Sequence, residues 1–230
     1  MPEAIVIAIN GAESTGKTQL AQALAAQIAL LTDVRCTAVP EQLRAWCDAQ
    51  GRTPRVDEQM AIALMQEQAI AAAAQANDIV VCDTTPLMTT VYSRLLFNDD
   101  GIDAVALRVQ RRCDVHLLTA LDIAWVSDGL QRDGPHVRLP VDDLLRDWLM
   151  RHRFAWSVIA GQGAARLQHA LDAVMPRLAA HREGETKAAG LFTRLQAQDA
   201  AAQRGQWQCD CADVGACEHR LMQARQRACV

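Results

Sequence analysis

Hydrophobic residues alternate along this chain between two rhythms. Short bounded runs recur at residues 4–9, 34–39, 79–82, 115–118 and 154–160. Runs of this length, rich in Val and Ile and flanked by turn residues, predict strands buried on both faces. Between them lie stretches of good helix formers, predicting helices at 19–31, 42–50, 87–98, 102–112, 141–152 and 164–181. A longer helix is expected over 59–75, capped by Asp57, with Glu58 in its first turn and Met60, Leu64, Met65 and Ile70 as its apolar positions. Residues 125–140 carry Asp128, Gly129, Arg132, Asp133, Gly134, Pro135, His136 and Arg138 and read as a mobile polar loop. Strand alternating with helix implies an α/β fold: a five-stranded parallel sheet with right-handed crossovers and helices on both faces. In such sheets ligands bind beyond the carboxyl ends of the strands.

One of those strand ends carries a specific motif. Gly11, Gly16, Lys17 and Thr18 fit G-x-x-x-x-G-K-[ST] at every fixed position, directly after the first run and before the first helix. A loop of this kind turns backbone N–H groups toward one point, and the dipole of the helix adds positive potential there, so a phosphate chain binds. Lys17 would reach the β- and γ-phosphates, and the Thr18 hydroxyl would sit on Mg²⁺. The expected nucleotide-contacting set is Gly11, Glu13, Ser14, Thr15, Gly16, Lys17, Thr18 and Gln19.

Two carboxylates stand at neighbouring strand ends. Asp83 closes the third run, where a second Mg²⁺-associated carboxylate belongs in a P-loop protein, and it is an alternative to Glu41 for orienting an acceptor hydroxyl; it would equally serve as a cap, as would Thr84 or Thr85. Glu41 follows the second run, positioned either to orient an acceptor hydroxyl and take its proton or to satisfy the next helix dipole. Arg44, three residues on, would contact substrate or pair with Glu41. Arg132 and Arg138 would stabilise a transferring phosphoryl group from a closing lid, or else stand as solvated loop charges. His116, inside a strand, reads as a packed core residue.

Composition narrows the setting. The chain has 230 residues, half of them hydrophobic, enough for one α/β domain and an appendage, with a boundary expected between 1–181 and 182–230. A net charge of −4 offers no footprint for nucleic acid, and no segment approaches a membrane span. The N-terminus lacks a cationic leader region, so a cytoplasmic protein with reduced thiols is expected. Four of the eight cysteines fall in the last 22 residues, after an expected Ala/Gln-rich helix at 187–203. Cys209, Cys211, Cys217 and His219 would supply four ligands to a structural Zn²⁺, although the spacing is not that of a standard finger; free thiols on a flexible tail are the competing reading.

Three stretches resemble a known family. They are 11–18, then Val81-Cys82-Asp83-Thr84 followed by Thr89-Thr90, and Trp125-Val126-Ser127-Asp128-Gly129-Leu130 with Arg132 after it. Over about residues 4–178 the chain resembles the P-loop kinase domain of bacterial nicotinamide riboside kinases. That domain is also the C-terminal part of the bifunctional NAD biosynthesis regulators, and related AAA-type ATPases group with it. The resemblance implies a nucleoside-kinase-type sheet, ATP as donor, a requirement for Mg²⁺, and transfer to the 5′-hydroxyl of a nucleoside-like acceptor. No adenylyltransferase domain or helix-turn-helix precedes the first strand, so a stand-alone kinase is expected. Trp46, Tyr92 and Trp125 are the aromatics available to stack on a nicotinamide ring, and the cysteine tail resembles tails on some stand-alone members. The alternative to a kinase is a nucleotide-dependent ATPase switch that docks a partner. A homodimer is open in either case.

Overall fold

The computed structural model describes residues 4–126 and 134–186, the last six of them by backbone alone. The chain divides into two compact units, Met1–Ala180 and His181–Val230, and the first carries the sheet. Five strands, β1 (Ile5–Asn10), β2 (Cys36–Val39), β3 (Ile79–Asp83), β4 (Val115–Thr119) and β5 (Ser157–Ile159), lie in the order β2-β3-β1-β4-β5. Every pairing is parallel, with Ile9 opposite Asp83 and Leu117 opposite Ser157. The helices are α1 (Lys17–Thr32), α2 (Gln42–Gln50), α3 (Val56–Ala76), α4 (Pro86–Phe97), α5 (Asp103–Gln110), α6 (Arg138–Arg151) and α7 (Gly163–Thr186). Among the described residues no helix is long and apolar enough to cross a membrane.

The central strand explains why both faces are covered. Side chains alternate along β1. Ile5, Ile7 and Ile9 pack with α1 and α7, while Val6 and Ala8 pack against Ile70 of α3 and Val109 of α5. All six β1 residues are buried. A third cluster joins α4 and α6 around Trp148, 1% exposed.

Several elements differ from the pattern-based expectation. Helix α6 begins at Arg138, three residues before the expected start, after a 3-10 turn over Pro135–Val137. Pro140 does not stop it, because a proline in the first turn lacks only an N–H that has no intrahelical acceptor there. Strand β5 has three residues rather than seven. Phe154 leaves the ladder to stack on Trp148 at 5.8 Å and to meet His116 edge-on at 5.0 Å. The cap of α3 is Arg55, whose N–H donates to Glu58 Oε2 at 2.8 Å, and Asp57 lies inside the first turn.

The inward face of α3 is the largest correction. Met60, Leu64 and Met65 are 37–40% exposed, and of the four apolar positions named from the sequence only Ile70 is buried. Gln59, Ile62, Ala63, Gln66 and Ile70 turn inward instead. Gln66 earns its place through hydrogen bonds: its carbonyl accepts Gln42 N–H at 2.8 Å and its amide donates to Pro40 O at 3.4 Å. The β2–α2 turn needs those partners, and an apolar side chain would leave its polar groups unsatisfied.

Candidate nucleotide-binding site

The loop between β1 and α1 is held open by positions that ordinary residues disfavour. Gly11 has φ +152°, and a Cβ there would come within 2.0 Å of Thr119 Oγ1 at the end of β4. Gly16, at the N-cap of α1, has φ +74°, and Ser14 has φ +54°. Left-handed backbone of this kind costs a glycine little and lets successive N–H groups converge. The first N–H groups of α1 have no intrahelical acceptor, so this end of the helix is built to receive an anion.

Side chains brace the loop from behind. Thr15 Oγ1 donates to Ala12 O at 2.8 Å and lies 2.7 Å from Thr119 Oγ1. Arg166, on α7 and 4% exposed, donates to Thr15 O at 3.0 Å and Ala120 O at 3.2 Å through Nη2. Its Nη1 donates to Gly161 O at 2.7 Å and to Asp122 Oδ1 at 2.8 Å. Glu13 Oε1 accepts Trp125 Nε1–H at 2.9 Å and Gly134 N–H at 3.3 Å, while the buried Oε2 has no partner. Ser14 Oγ accepts Val126 N–H at 2.8 Å. The Lys17 ammonium donates to Ala12 O at 2.8 Å, folded over its own loop.

A cavity of about 670 Å³ opens on this loop. Residues 13–19 line it. So do Glu41, Leu43, Arg44 and Cys47 of the β2–α2 region, Thr53 and Pro54, and Gln59 of α3. Met88, Tyr92, Leu96 and Phe97 of α4 and Ile123, Ala124 and Val126 after β4 complete the lining. The size suits a small organic ligand, with apolar and aromatic walls and a few polar groups.

The expected site residues are placed unevenly. Lys17, Thr18, Gln19 and Glu41 line the cavity. Glu41 is at the N-cap of α2 with no side-chain cap bond, and its Oε2 is 3.8 Å from Arg44 Nε. Asp83 closes β3 and is 3% exposed; its Oδ1 has no hydrogen-bond partner, and it is absent from the described cavity lining. The cap of α4 is Thr85, which accepts Leu87 N–H at 3.3 Å, so Asp83 is not spent on capping. Arg138 opens α6 rather than lying in a loop, is 8% exposed, and has Nε and Nη2 buried without partners. Tyr92 lines the cavity. Trp46 does not appear in the described lining and stacks with the Arg52 guanidinium at 5.0 Å. Trp125 is turned onto Glu13. His116 is packed as expected, and burial lowers its pKa to about 4, against a smaller opposing effect from Asp114. Arg132 and the set Cys209, Cys211, Cys217 and His219 lie outside the described residues, among which no metal-ligating cluster occurs.

Three residues of this site went unmarked by any motif: Thr119, Arg166 and Gln59. Thr119 ends a strand beside the loop, and Arg166 follows a Gly-x-Gly turn after β5, each a faint signal. Gln59 interrupts an apolar helix face, a signal legible only once the face is known.

A parallel sheet of this order, with a phosphate loop between its central strand and first helix, defines a P-loop nucleotide-binding domain. The profile of a family described as an AAA domain matches residues 6–166, and the chain belongs to that family. Solved structures share the fold. A NadR protein in complex with NR is 21% identical with a TM-score of 0.61, over 74% of this chain and 50% of that one. A NadR protein in complex with NAD and AMP-PNP is 21% identical with a TM-score of 0.58, over 74% and 48%. Thymidylate kinase from Ehrlichia chaffeensis is 16% identical with a TM-score of 0.53, over 77% of this chain and all of that one. This chain spans about half the length of the NadR structures it matches. No curated protein sequence matches it significantly. The family resemblance drawn from the motifs is borne out, as are the five-stranded sheet and the kinase-type P-loop fold.

Proposed function

We propose that this protein is an ATP-dependent small-molecule kinase that phosphorylates the 5′-hydroxyl of a nucleoside-like acceptor, with nicotinamide riboside the first candidate. The observation that carries this reading is one cavity whose lining joins phosphate-loop residues 13–19 to Glu41, Arg44, Gln59 and Tyr92. A switch that only hydrolyses nucleotide has no need of aromatic and carboxylate groups lining the same cavity as its phosphate loop. The NadR structures, one with NR and one with an ATP analogue, support the choice of candidate.

In this reading the loop N–H groups and Lys17 hold the β- and γ-phosphates, and Lys17 leaves Ala12 O to do so. Thr18 and the unpartnered Asp83 carboxylate fit a magnesium ion, which when bound would neutralise charge on the phosphates. Glu41, being on the cavity wall, is better placed than Asp83 to orient the acceptor hydroxyl. The hydroxyl oxygen bonds to the γ-phosphorus, the bond to the bridging oxygen of ADP breaks, and the hydroxyl proton passes to Glu41. A buried guanidinium without a partner is costly unless an anion compensates it, which favours Arg138 as a phosphate contact; Arg132 stays a second candidate on sequence grounds. We extend the proposal to a cytoplasmic setting, where the donor is abundant, and to a tail after about residue 181 that binds one zinc through Cys209, Cys211, Cys217 and His219. Metal analysis of the purified chain checks the last point.

The test of function is transfer of label. γ-Labelled ATP with nicotinamide riboside should give labelled nucleoside 5′-phosphate and nucleoside-stimulated ADP release. Slow hydrolysis indifferent to every nucleoside would instead make the protein an ATPase switch.

A further inference from the structure

Gln59 and Gln66 sit seven residues apart on one face of α3, each 3% exposed, and only one of them is used by the fold. Gln66 bonds the β2–α2 turn with both ends of its amide and reaches Thr84 O at 3.5 Å. Gln59 makes no hydrogen bond to any described residue, and its buried Oε1 has no partner. Its neighbours on the face, Ile62, Ala63 and Ile70, are apolar. A leucine would fill the same space without burying an unmade hydrogen bond. Gln59 also lines the cavity, together with Glu41, Arg44 and Tyr92.

We propose that Gln59 reads the second ligand of the cavity, pairing its side-chain amide with an amide-type edge on a planar ring of that ligand. The proposal rests on the kinase reading and names the acceptor's recognition chemistry. An amide offers one acceptor and a neighbouring donor, so the group that satisfies both at once presents the complementary pair: a primary carboxamide, or the lactam or imide edge of a base. A carboxylate at the same place presents acceptors alone and leaves the Gln59 carbonyl facing another oxygen. The terminal torsion of a glutamine is broad, so the amide turns between its two faces without rearranging α3. The ring lies against the Tyr92 and Phe97 side of the cavity, where apolar and aromatic surface is supplied.

The experiment is calorimetric titration of the full-length chain, held with a non-hydrolysable ATP analogue, using nicotinamide riboside, its carboxylate counterpart nicotinic acid riboside, and uridine. Wild type should bind a carboxamide- or imide-edged nucleoside about tenfold or more tightly than the carboxylate. Gln59→Leu should weaken the amide-edged ligand by about 10- to 100-fold and erase that preference, with retained analogue binding showing that the variant folds. If Gln59→Leu keeps wild-type affinity and preference, or wild type shows no preference, Gln59 does not read the ligand while the kinase reading stands. If wild type takes the ATP analogue but none of the three nucleosides, this inference falls, while the kinase reading is decided by the label-transfer test across nucleosides. Should Gln59→Leu fail to fold, Gln59→Glu keeps the shape while replacing the donor with an acceptor oxygen and adding a negative charge, so it should lose the amide-edged ligand; an unchanged preference in that variant overturns the proposal.

Discussion

Arg166 of α7 donates to the carbonyl of Thr15, in the middle of the phosphate loop, across 151 residues of chain at 3.0 Å. The same guanidinium ties Ala120 O, Gly161 O and Asp122 to that loop. The loop is thereby clamped from behind by groups following β4 and β5. Arg166→Ala should destabilise the protein by about 2–5 kcal/mol, because it leaves a carboxylate and three carbonyls without their donor. ATP-analogue affinity should fall with it. Arg166→Lys keeps the charge but not the planar fork, so it should recover only part of the loss. Thermal denaturation with analogue titration checks both; wild-type values for Arg166→Ala would remove the clamp.

Gly11 and Thr119 are a second such pair. Gly11→Ala places a methyl 2.0 Å from Thr119 Oγ1 at a positive φ, and should cost about 2–4 kcal/mol. Trimming the obstacle with Thr119→Gly should relieve the steric part, so the double variant should be more stable than the sum of the single losses predicts. Strict additivity in a denaturant-melt cycle would show that the two residues do not meet.

Lys17 opens α1 outside the core, its ammonium bonded to Ala12 O of the loop. Lys17→Ala should lower kcat for phosphate transfer by at least about 100-fold while the melting temperature moves little. Label transfer at the wild-type rate in a folded Lys17→Ala protein would overturn the phosphate-site reading.

His116 gives a pH dependence whose sign is set by burial. Burial lowers its pKa from 6.5 to about 4, the nearby Asp114 opposing. Between those values the unfolded chain binds more protons than the folded one, so stability rises with pH. Folding free energy should therefore be whole above about pH 6.5 and fall by about 1–3 kcal/mol on acidification toward pH 4. His116→Leu, which cannot titrate, should flatten that part of the profile, as urea melts across the range would show.

How far the chain could be read without its fold depends on whether the signal is local. The strands announced themselves because β1 and β3 are buried on both faces and so are apolar without interruption. The phosphate loop announced itself because its glycines, Lys17 and Thr18 act within eight residues. Helix α3 misled because its inward face carries Gln59 and Gln66, while Met60, Leu64 and Met65 look outward. Periodicity reports what is apolar and is blind to polar groups that a neighbouring turn or a ligand requires. Arg138 was assigned to a loop because polar residues run up to Pro140, and proline tolerated in a first turn hides where a helix begins.

By itself the sequence determined the alternation of strand and helix, the P-loop between the first strand and helix, and the strand ends that carry Glu41 and Asp83. Each of these depends on residues near one another in the chain, where spacing and side-chain type suffice. The tertiary structure alone decided that Arg166 clamps Thr15, that Thr119 forbids a side chain at Gly11, and that Gln59 rather than its neighbour Met60 lines the cavity. Those contacts join segments dozens to more than a hundred residues apart, and no local pattern carries the energy of a partner that only folding brings within reach.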